Sequence, residues 1–400
     1  MLLKNLPVAA LIGYALAQEE SQSLNATLTG NSQLSNLTQL LTADPSLINA
    51  LSQADNITIL APSNEAFSRA AEQPAFQALT SDPQLLSAAL LYHILNGTIR
   101  ADDITNTSTF APTYLNSNTA ASNVTGGQVV EAVVQGNQTS FYSGLLSRAN
   151  VTEADLNFTG GVLHIIDSIL VPPANILDTA SAFNLSAFRG AVNATNLATT
   201  LTSTPDVTIF APNNEAFTNI NSEITELDTE TLANILAHHV INGTVGYSTD
   251  LEDGQNLTSA FGQNITITER NGTVFVNQAK VVTPNILIGN GVLHIIDAVL
   301  NPQNASTPDE GASSGANAYP SATRSGNEVP FTSGQPTPTT TVDPSTAAPT
   351  PDDSEEGGEG QGEGQGEGEG EGSGNAAAGP RATGAAVGYA MMGAAAVWFL

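Results

Sequence analysis

One ten-residue stretch occurs twice in this chain of 400 residues. Residues 161–170 read GVLHIIDSIL and residues 291–300 read GVLHIIDAVL, so that eight of the ten positions are identical. Two longer blocks also recur in the same order: ITILAPSNEAF (57–67) returns as VTIFAPNNEAF (207–217), and LLSAALLYHILNGTI (85–99) returns as TLANILAHHVINGTV (231–245). Such a duplication predicts that one folding unit is built twice.

The spacing of the copies indicates the size of that unit. The three offsets are 150, 146 and 130 residues, far above the period of roughly 20–50 residues that marks a solenoid. We therefore predict two homologous domains, at 21–172 and 175–302. Each is long enough to bury a hydrophobic core without disulfide bonds.

The first two blocks contain signals for strands and helices. The run from Ile57 to Leu60 is rich in β-branched residues and predicts a strand, which the following Ala-Pro is expected to end. Asp82 and Pro83 predict the start of a helix, and Asn96 and Gly97 predict its end. In the second copy, the run from Val207 to Phe210 and the pair Asn242 and Gly243 repeat the strand and helix-end signals.

Four of the five histidines occupy equivalent positions in the two copies. His164 and His294 lie in a strand that is apolar on both faces and therefore central, whereas His93 and His239 lie on the buried stripe of a helix. A metal or catalytic pair in each domain is the alternative, but it would lack a third ligand or a partnered acid. We therefore predict hydrogen-bonded core histidines, with His238 beside the stripe and near the surface.

The composition excludes several classes of function. The formal net charge is −29 with only nine Lys and Arg residues, so the chain lacks the basic footprint that nucleic acids require. The absence of cysteine from the sequence excludes disulfides and thiolate zinc sites. Acidic residues are sparse in the repeated blocks, whereas glycan hydrolysis needs a pair of carboxylates. We expect no catalytic residues, no metal site and no cofactor.

Both ends of the chain carry processing signals. Residues 1–17 have the basic start, the apolar run and the small-residue site of a secretory signal peptide, with cleavage after Ala17. Small residues, a polar spacer and the apolar tail 385–400 form the layout of a glycosylphosphatidylinositol (GPI) attachment signal. We expect Asn375 to receive the lipid, with the two residues before it as alternatives, and 376–400 to be the removed propeptide.

Residues 303–374 differ in composition from the repeated domains. They are rich in Ser, Thr and Pro and then in Gly and Glu, and such a segment has too little apolar surface to offset its ordering entropy. We predict a disordered stalk that is O-glycosylated in its Ser/Thr/Pro part.

Acceptor triplets for N-glycosylation are abundant and lie between the two processing signals, which agrees with passage through the secretory pathway. The candidate acceptors are Asn25, Asn36, Asn56, Asn96, Asn106, Asn123, Asn137, Asn150, Asn157, Asn184, Asn193, Asn242, Asn256, Asn264, Asn271 and Asn304.

The repeated blocks resemble the fasciclin domain. TILAPSNEAF and TIFAPNNEAF resemble the first block of that family, Tyr92 and His93 resemble its central Tyr-His pair, and the two GVLHIID stretches resemble its last block. The second copy departs from the pattern, with His238 in place of the tyrosine. The resemblance covers 280 of the 400 residues. It implies an α+β fold in which each module is a wedge-like β-sandwich flanked by small helices.

The resemblance also implies adhesion rather than catalysis. In animal relatives an Asp-Ile-type pair before the last block is implicated in integrin binding; Asp155 and Leu156 occupy that place here, and Asn285 and Ile286 occupy it in the second copy, without the acid. As partners we expect cell-surface or cell-wall glycans or proteins, or other copies of the chain, with a GPI lipid in the outer leaflet of the plasma membrane or transfer to the wall. A glycoprotein spacer without a specific ligand and an enzyme acting on wall glycans are the alternatives.

Overall fold

The computed structural model describes residues 22–116, 122–324, 326, 328–336 and 341–343. The predicted signal peptide, the attachment residue Asn375, the tail 376–400 and the stalk from 344 onward lie outside these residues. In the part of the chain that the structure describes, no helix is both long and apolar enough to cross a membrane.

The first module, residues 22–172, places a sheet beside a group of short helices. The helices are α1 (Leu24–Gly30), α2 (Ser35–Ala43), α3 (Pro45–Gln53), α4 (Asn64–Ala71), α5 (Pro74–Ser81) and α6 (Pro83–Tyr92). The strands are β1 (Ile57–Pro62), β2 (Ile94–Asn96), β3 (Thr109–Pro112), β4 (Val129–Gln135), β5 (Gln138–Tyr142), β6 (Arg148–Phe158) and β7 (Gly161–Ile166). Within the described residues they form one sheet in the order β2-β1-β7-β6-β5-β4-β3.

The repeated stretch forms the centre of this sheet, as predicted. Strand β7 lies parallel to β1 and antiparallel to β6, and every residue of β1 is buried. Strand β1 continues through Pro62 instead of ending before Ala-Pro. The amide hydrogen that proline lacks would point past the end of β2, so the proline costs no hydrogen bond between these two strands. The stretch begins with glycine because a Cβ on Gly161 would collide with the carbonyl oxygen of Ile57.

The two faces of the sheet support separate apolar clusters. On the helical side, Ile59 and Leu163 pack with leucines of α1 and α2 such as Leu28. On the other side, Leu60 and Phe141 belong to a cluster formed largely by the strands. Successive side chains along β1 and β7 therefore point in turn to the helical-side cluster and to the cluster on the opposite face of the sheet.

The second module, beginning at residue 175, repeats this arrangement. The helices are α7 (Ile176–Ala182), α8 (Ser186–Ala194), α9 (Ala198–Ser203), α10 (Asn214–Asn219), α11 (Asn221–Ile224) and α12 (Thr229–His238). The strands are β8 (Val207–Pro212), β9 (Val240–Asn242), β10 (Asn256–Thr258), β11 (Asn264–Arg270), β12 (Thr273–Val276), β13 (Ala279–Ile288) and β14 (Gly291–Ile296). The sheet order among the described residues is β10-β11-β12-β13-β14-β8-β9.

Helix α6 begins where Asp82 and Pro83 predict it, with the Asp82 side chain as N-cap. It ends at Tyr92, and Ile94–Asn96 continue as β2 along the edge of β1. The predicted helix end at Asn96 and Gly97 is therefore wrong. The open edge of β1 offers these residues backbone hydrogen bonds in a sheet, which replace those of a further helical turn. Helix α12 and strand β9 show the same departure.

The two modules pack against each other. Leu145, which follows β5, belongs to the main apolar cluster of the second module. The buried amide of Gln128 donates a hydrogen bond of 3.0 Å to the carbonyl of Gly289. At the edge of this contact, the rings of Phe110 and Tyr247 stack with centroids 3.9 Å apart. Together these contacts hold the first module against the second module near strand β13.

The described residues after 302 also pack on the second module, so the compositional boundary at 303 does not mark the end of ordered structure. The Tyr319 hydroxyl donates a hydrogen bond of 3.2 Å to Leu300, and Val342 lies in the main apolar cluster. Phe331 meets Phe217 edge to face, with centroids 6.2 Å apart. A few apolar side chains in a segment of polar average composition suffice to hold it against the helices.

Candidate functional site

The helix-end histidines join two of the repeated blocks. In the first module, Nδ1 of His93 donates a hydrogen bond of 2.7 Å to the Ala89 carbonyl, and Nε2 accepts one of 2.9 Å from the Leu170 amide. His239 makes the equivalent pair of bonds, at 2.8 Å and 2.9 Å. Each ring is therefore neutral, with one nitrogen donating and the other accepting, and each fixes the chain just beyond the central strand.

The strand histidines hold a β-bulge in place. Nδ1 of His164 accepts a hydrogen bond of 3.1 Å from the Asp155 amide, and Nε2 donates one of 2.8 Å to the Ile99 carbonyl. In the second module, Nδ1 of His294 accepts from the Asn285 amide at 3.3 Å. The bulge residue has φ of 57° in one copy and 61° in the other, a conformation that Asp and Asn tolerate better than most residues.

Burial sets the protonation of these rings. It lowers the pKa of His93 and of His294 to about 4 and that of His239 to about 3, and it also lowers the pKa of His164. A proton on the accepting nitrogen would also remove one hydrogen bond from each ring. The four residues thus act as neutral structural groups at neutral pH.

His238 is buried, which corrects the prediction that it lies near the surface. Only 1% of the residue is exposed, and Nδ1 lies 3.0 Å from Ser259 Oγ. The loop after β10 folds over the end of α12 and places the Phe261 ring nearly perpendicular to the imidazole, with centroids 6.5 Å apart. Burial lowers the pKa of His238 to about 4. Helical periodicity does not reveal this burial, because the loop that covers His238 comes from a different part of the sequence.

Asp155 and Leu156 lie on the bulge of β6 at the outside of the first module. Both are half-buried, and Asp155 Oδ1 accepts a hydrogen bond of 3.3 Å from the Ala101 amide. Arg100 and Asn157 are exposed beside them and are joined by a hydrogen bond of 3.0 Å. The carboxylate is therefore presented on a polar surface, whereas Leu156 contacts the helical-side apolar cluster.

The equivalent pair in the second module is covered. Asn285 is 3% exposed and Ile286 is fully buried. The Asn285 side chain caps the short 3-10 helix Ser248–Asp250, accepting from the Ser248 amide at 2.8 Å and donating to the Ser248 hydroxyl at 2.7 Å. The expectation that this pair forms a surface contact is therefore wrong, because the first module packs over this part of β13.

Comparisons with known proteins agree with this duplicated architecture. The profile of the Fasciclin domain matches residues 32–172 and 183–302. The chain belongs to the fasciclin domain family. It is 31% identical to a fasciclin-like arabinogalactan protein of Arthroderma benhamiae over 327 residues, which cover 80% of this chain and 76% of the relative. A fasciclin-like arabinogalactan protein of Cercospora beticola is 29% identical and shares 74% of this chain and 81% of its own length.

A solved structure of a domain pair from the insect cell adhesion molecule Fasciclin I is also similar to this chain. It has 20% sequence identity and a TM-score of 0.33, and the match covers 68% of this chain and 98% of the other.

A buried acid lies where the two fasciclin domains meet, and sequence reasoning missed it. Glu131 of β4 is 1% exposed, and its Oε1 lies 2.5 Å from Ser108 Oγ. Burial raises its pKa to about 7, although the hydrogen bond from Ser108 opposes that shift. The sequence does contain a signal that could have identified Glu131. It is an acid within the apolar run Val129–Val134, and an acid departs from the pattern of a buried strand.

The fasciclin domains expose most of the N-glycosylation candidates, but three are half-buried and use the side-chain nitrogen that would carry a glycan. Asn123 Nδ2 donates to the Ser203 carbonyl at 2.9 Å, Asn150 Nδ2 to an Asp167 carboxylate oxygen at 2.8 Å, and Asn304 Nδ2 to the Ala318 carbonyl at 3.1 Å. The exposed candidates are Asn25, Asn36, Asn56, Asn96, Asn106, Asn137, Asn157, Asn184, Asn193, Asn242, Asn256, Asn264 and Asn271.

The acids near the histidines serve the backbone. Asp167 accepts from the Asn150 amide at 2.8 Å, and Asp297 accepts from the amides of Lys280 and Gly315, also at 2.8 Å. Among the described residues, no group of three His, Asp or Glu side chains is placed to hold a metal ion.

Proposed function

We propose that this fasciclin chain is a non-catalytic cell-surface adhesion protein that binds cell-wall or extracellular-matrix components through its first domain. Membership of the fasciclin family supports an adhesion role. The observation that carries the assignment to the first domain is the half-buried Asp155–Leu156 bulge, which is open to partners there and covered in the second domain. A carboxylate beside exposed Arg100 can bind hydroxyl-rich glycans or basic protein groups through charge-assisted hydrogen bonds.

The proposal includes a route to the cell surface. The chain enters the secretory pathway through residues 1–17, receives N-glycans at exposed acceptors and a GPI lipid at Asn375, and stands on a stalk at the plasma membrane or in the wall. The names of the arabinogalactan-protein relatives support a heavily glycosylated product. The stalk would hold the packed domains away from the membrane, where a wall polymer or a neighbouring cell is within reach.

The test is saturable binding of the secreted chain 18–374, with and without its N-glycans, to whole cells and to wall polysaccharides. In the variant Asp155→Asn we expect at least about tenfold weaker binding, the loss of roughly 1.4 kcal/mol that one charge-assisted contact supplies. The second domain carries Asn at the equivalent bulge, so this substitution has a native precedent and should leave the fold intact. Glu230→Gln removes an equal charge from an exposed position on α12 and is the matched control.

The outcomes separate adhesion from the other functions. Binding that survives deglycosylation and is weakened by Asp155→Asn, but not by Glu230→Gln, supports adhesion through the first domain. Binding that disappears with the glycans would instead support a spacer whose sugars make the contacts. Turnover of a wall polysaccharide by the purified chain would contradict the non-catalytic assignment.

A further inference from the structure

The first domain contains an apolar cavity that is separate from the Asp155 bulge. Its volume is about 560 Å³, which lies within the range of small-molecule sites, roughly 300–1,000 Å³. It lies between helices α2, α4, α5 and α6 and the end of β1. The side chains that form its walls include Leu40, Leu41, Phe67, Phe76 and Leu90.

The described residues around this cavity offer no charged group. None of those lining it is Asp, Glu, Lys or Arg. His93 reaches the cavity, but both of its ring nitrogens are already hydrogen-bonded within the domain. The polar lining residues Gln39, Ser68 and Thr80 are exposed and therefore mark the mouth. An ionised ligand would lose its hydration without finding a counter-charge inside, so the cavity fits a neutral molecule.

In the second domain, the place that corresponds to this cavity is covered by a later segment of the protein chain. The Asn64 side chain accepts from the amide of Asn36 on α2, and Asn214 accepts from that of Ala187 on α8. This shared contact aligns α2 with α8, so Gln39 of the first domain corresponds to Gly190 of the second.

At the corresponding place in the second domain, the Phe331 ring meets Phe217 and its backbone lies directly over Gly190. A Cβ on Gly190 would collide with the Phe331 carbonyl. The cover therefore depends on a glycine in the underlying helix.

The first domain is not built for such a cover. At Gly190 the absence of a side chain lets the Phe331 backbone lie against α8, whereas Gln39 has a side chain at the corresponding position of α2. An extended peptide therefore cannot lie equally close to α2. The aromatic contact to Phe67 comes from Phe76 of α5, with centroids 6.3 Å apart, and a hollow remains beneath it. The site therefore favours a small molecule over a peptide segment.

We propose that this cavity binds a neutral, largely hydrocarbon small molecule, such as a long-chain alcohol, with its polar end at the mouth near Gln39 and Ser68. Removal of the hydrocarbon from water supplies the affinity, at roughly 25 cal/mol per Å² of buried apolar surface. The exposed hydroxyl and amide groups at the mouth orient the ligand's single polar group. The site is independent of the adhesion surface, because Asp155 and Arg100 do not line it.

The test uses chain 18–374, which retains every residue that the structure describes, with its N-glycans removed because Asn36 stands at the mouth. The probe is N-phenyl-1-naphthylamine, a neutral fluorophore that brightens in apolar sites. We expect saturable binding of one probe per chain. Competition with 1-dodecanol should displace the probe at least about tenfold more effectively than dodecanoate, since the carboxylate finds no counter-charge.

Two variants assign the binding to this cavity. Ser68→Trp places a large side chain at the mouth and should weaken probe binding by about tenfold or more. Ser81→Trp makes the same change at an exposed position on α5 that does not line the cavity, and its affinity should stay within about twofold. Far-UV circular dichroism of both variants reports whether the helices remain folded.

Several outcomes would overturn the proposal. These are no saturable binding, dodecanoate competing as well as dodecanol, or Ser68→Trp and Ser81→Trp behaving alike while both are folded. Co-sedimentation of the chain with neutral phosphatidylcholine vesicles, without displacement of the probe by free dodecanol, would assign the apolar face to a membrane surface. None of these results alters the test at Asp155, so the two proposals fail separately.

Discussion

Mild acid should unfold this protein with an unusually steep dependence on pH. Five histidines are buried: His93, His164, His238, His239 and His294. Burial lowers the pKa of all five, to about 4 or below in the four cases that have a value. An unfolded histidine titrates near pH 6.5. Between about pH 6.5 and pH 4, the unfolded chain therefore binds protons that the folded chain does not.

The sign and the size of the effect follow from this proton balance. The stabilisation is complete above about pH 6.5 and is lost as the pH falls through that window. Glu131 acts in the opposite direction, because its pKa of about 7 in the folded chain means that it already holds a proton which the unfolded chain releases. The four histidines with a folded pKa of about 4 or below, less one glutamate, give a net uptake of about three protons near pH 5. At about 1.4 kcal/mol for each proton and pH unit, the free energy of unfolding should fall by about 4 kcal/mol per pH unit there.

Urea unfolding of chain 18–374, followed by far-UV circular dichroism at several values from pH 7 to pH 5, measures this slope. Since domains are commonly stable by only 5–15 kcal/mol, we expect the folded state to be lost near pH 5 or slightly below. A slope of about 1.4 kcal/mol per pH unit or less would mean that at most one net proton is taken up. That result would refute the assignment of these rings as neutral groups buried in both domains.

Three further predictions concern other parts of the fold. Glu131→Gln should raise the free energy of unfolding by about 3 kcal/mol at pH 8 but by only about 1 kcal/mol at pH 5, as measured in urea. Glycopeptide mass spectrometry should find lower occupancy at Asn123, Asn150 and Asn304 than at the exposed acceptors, because a glycan there would cost a native hydrogen bond. Ending the chain at 303 should lower its stability by about 2–4 kcal/mol, since Phe331 and Tyr319 no longer cover apolar side chains; an unchanged urea midpoint would contradict this.

The repeated stretches allowed the centre of the fold to be predicted because local pattern and tertiary role coincide there. A run such as GVLHII, apolar on both faces, has little choice but the middle of a sheet, and β7 and β14 lie there. The start of α6 at Asp82 was predictable for a similar reason, since an N-cap acts within a few residues of itself. Its end was not, because Ile94–Asn96 respond to the free edge of β1, which is distant in sequence.

The candidate site was less predictable, because exposure depends on what packs from elsewhere. Asp155 and Asn285 occupy the same bulge and make the same bond to a histidine, yet one is presented outside and the other is covered by the neighbouring domain. Likewise, the polar average composition after residue 302 concealed a few apolar residues, so the segment that contains Phe331 was predicted to be a stalk. Contacts between domains and between distant segments leave no periodic signal in the sequence.

The asymmetry between the copies indicates how the duplicated fold divides its roles. In the second domain, the bulge at Asn285 is covered by the first domain and the helical face by Phe331 and its neighbours, so both surfaces serve packing. In the first domain, the bulge at Asp155 and the cavity beneath Phe67 have no such cover among the described residues. Any ligand of either kind should therefore bind the first domain. The second domain then acts as the platform that joins it to the segment leading toward the predicted anchor.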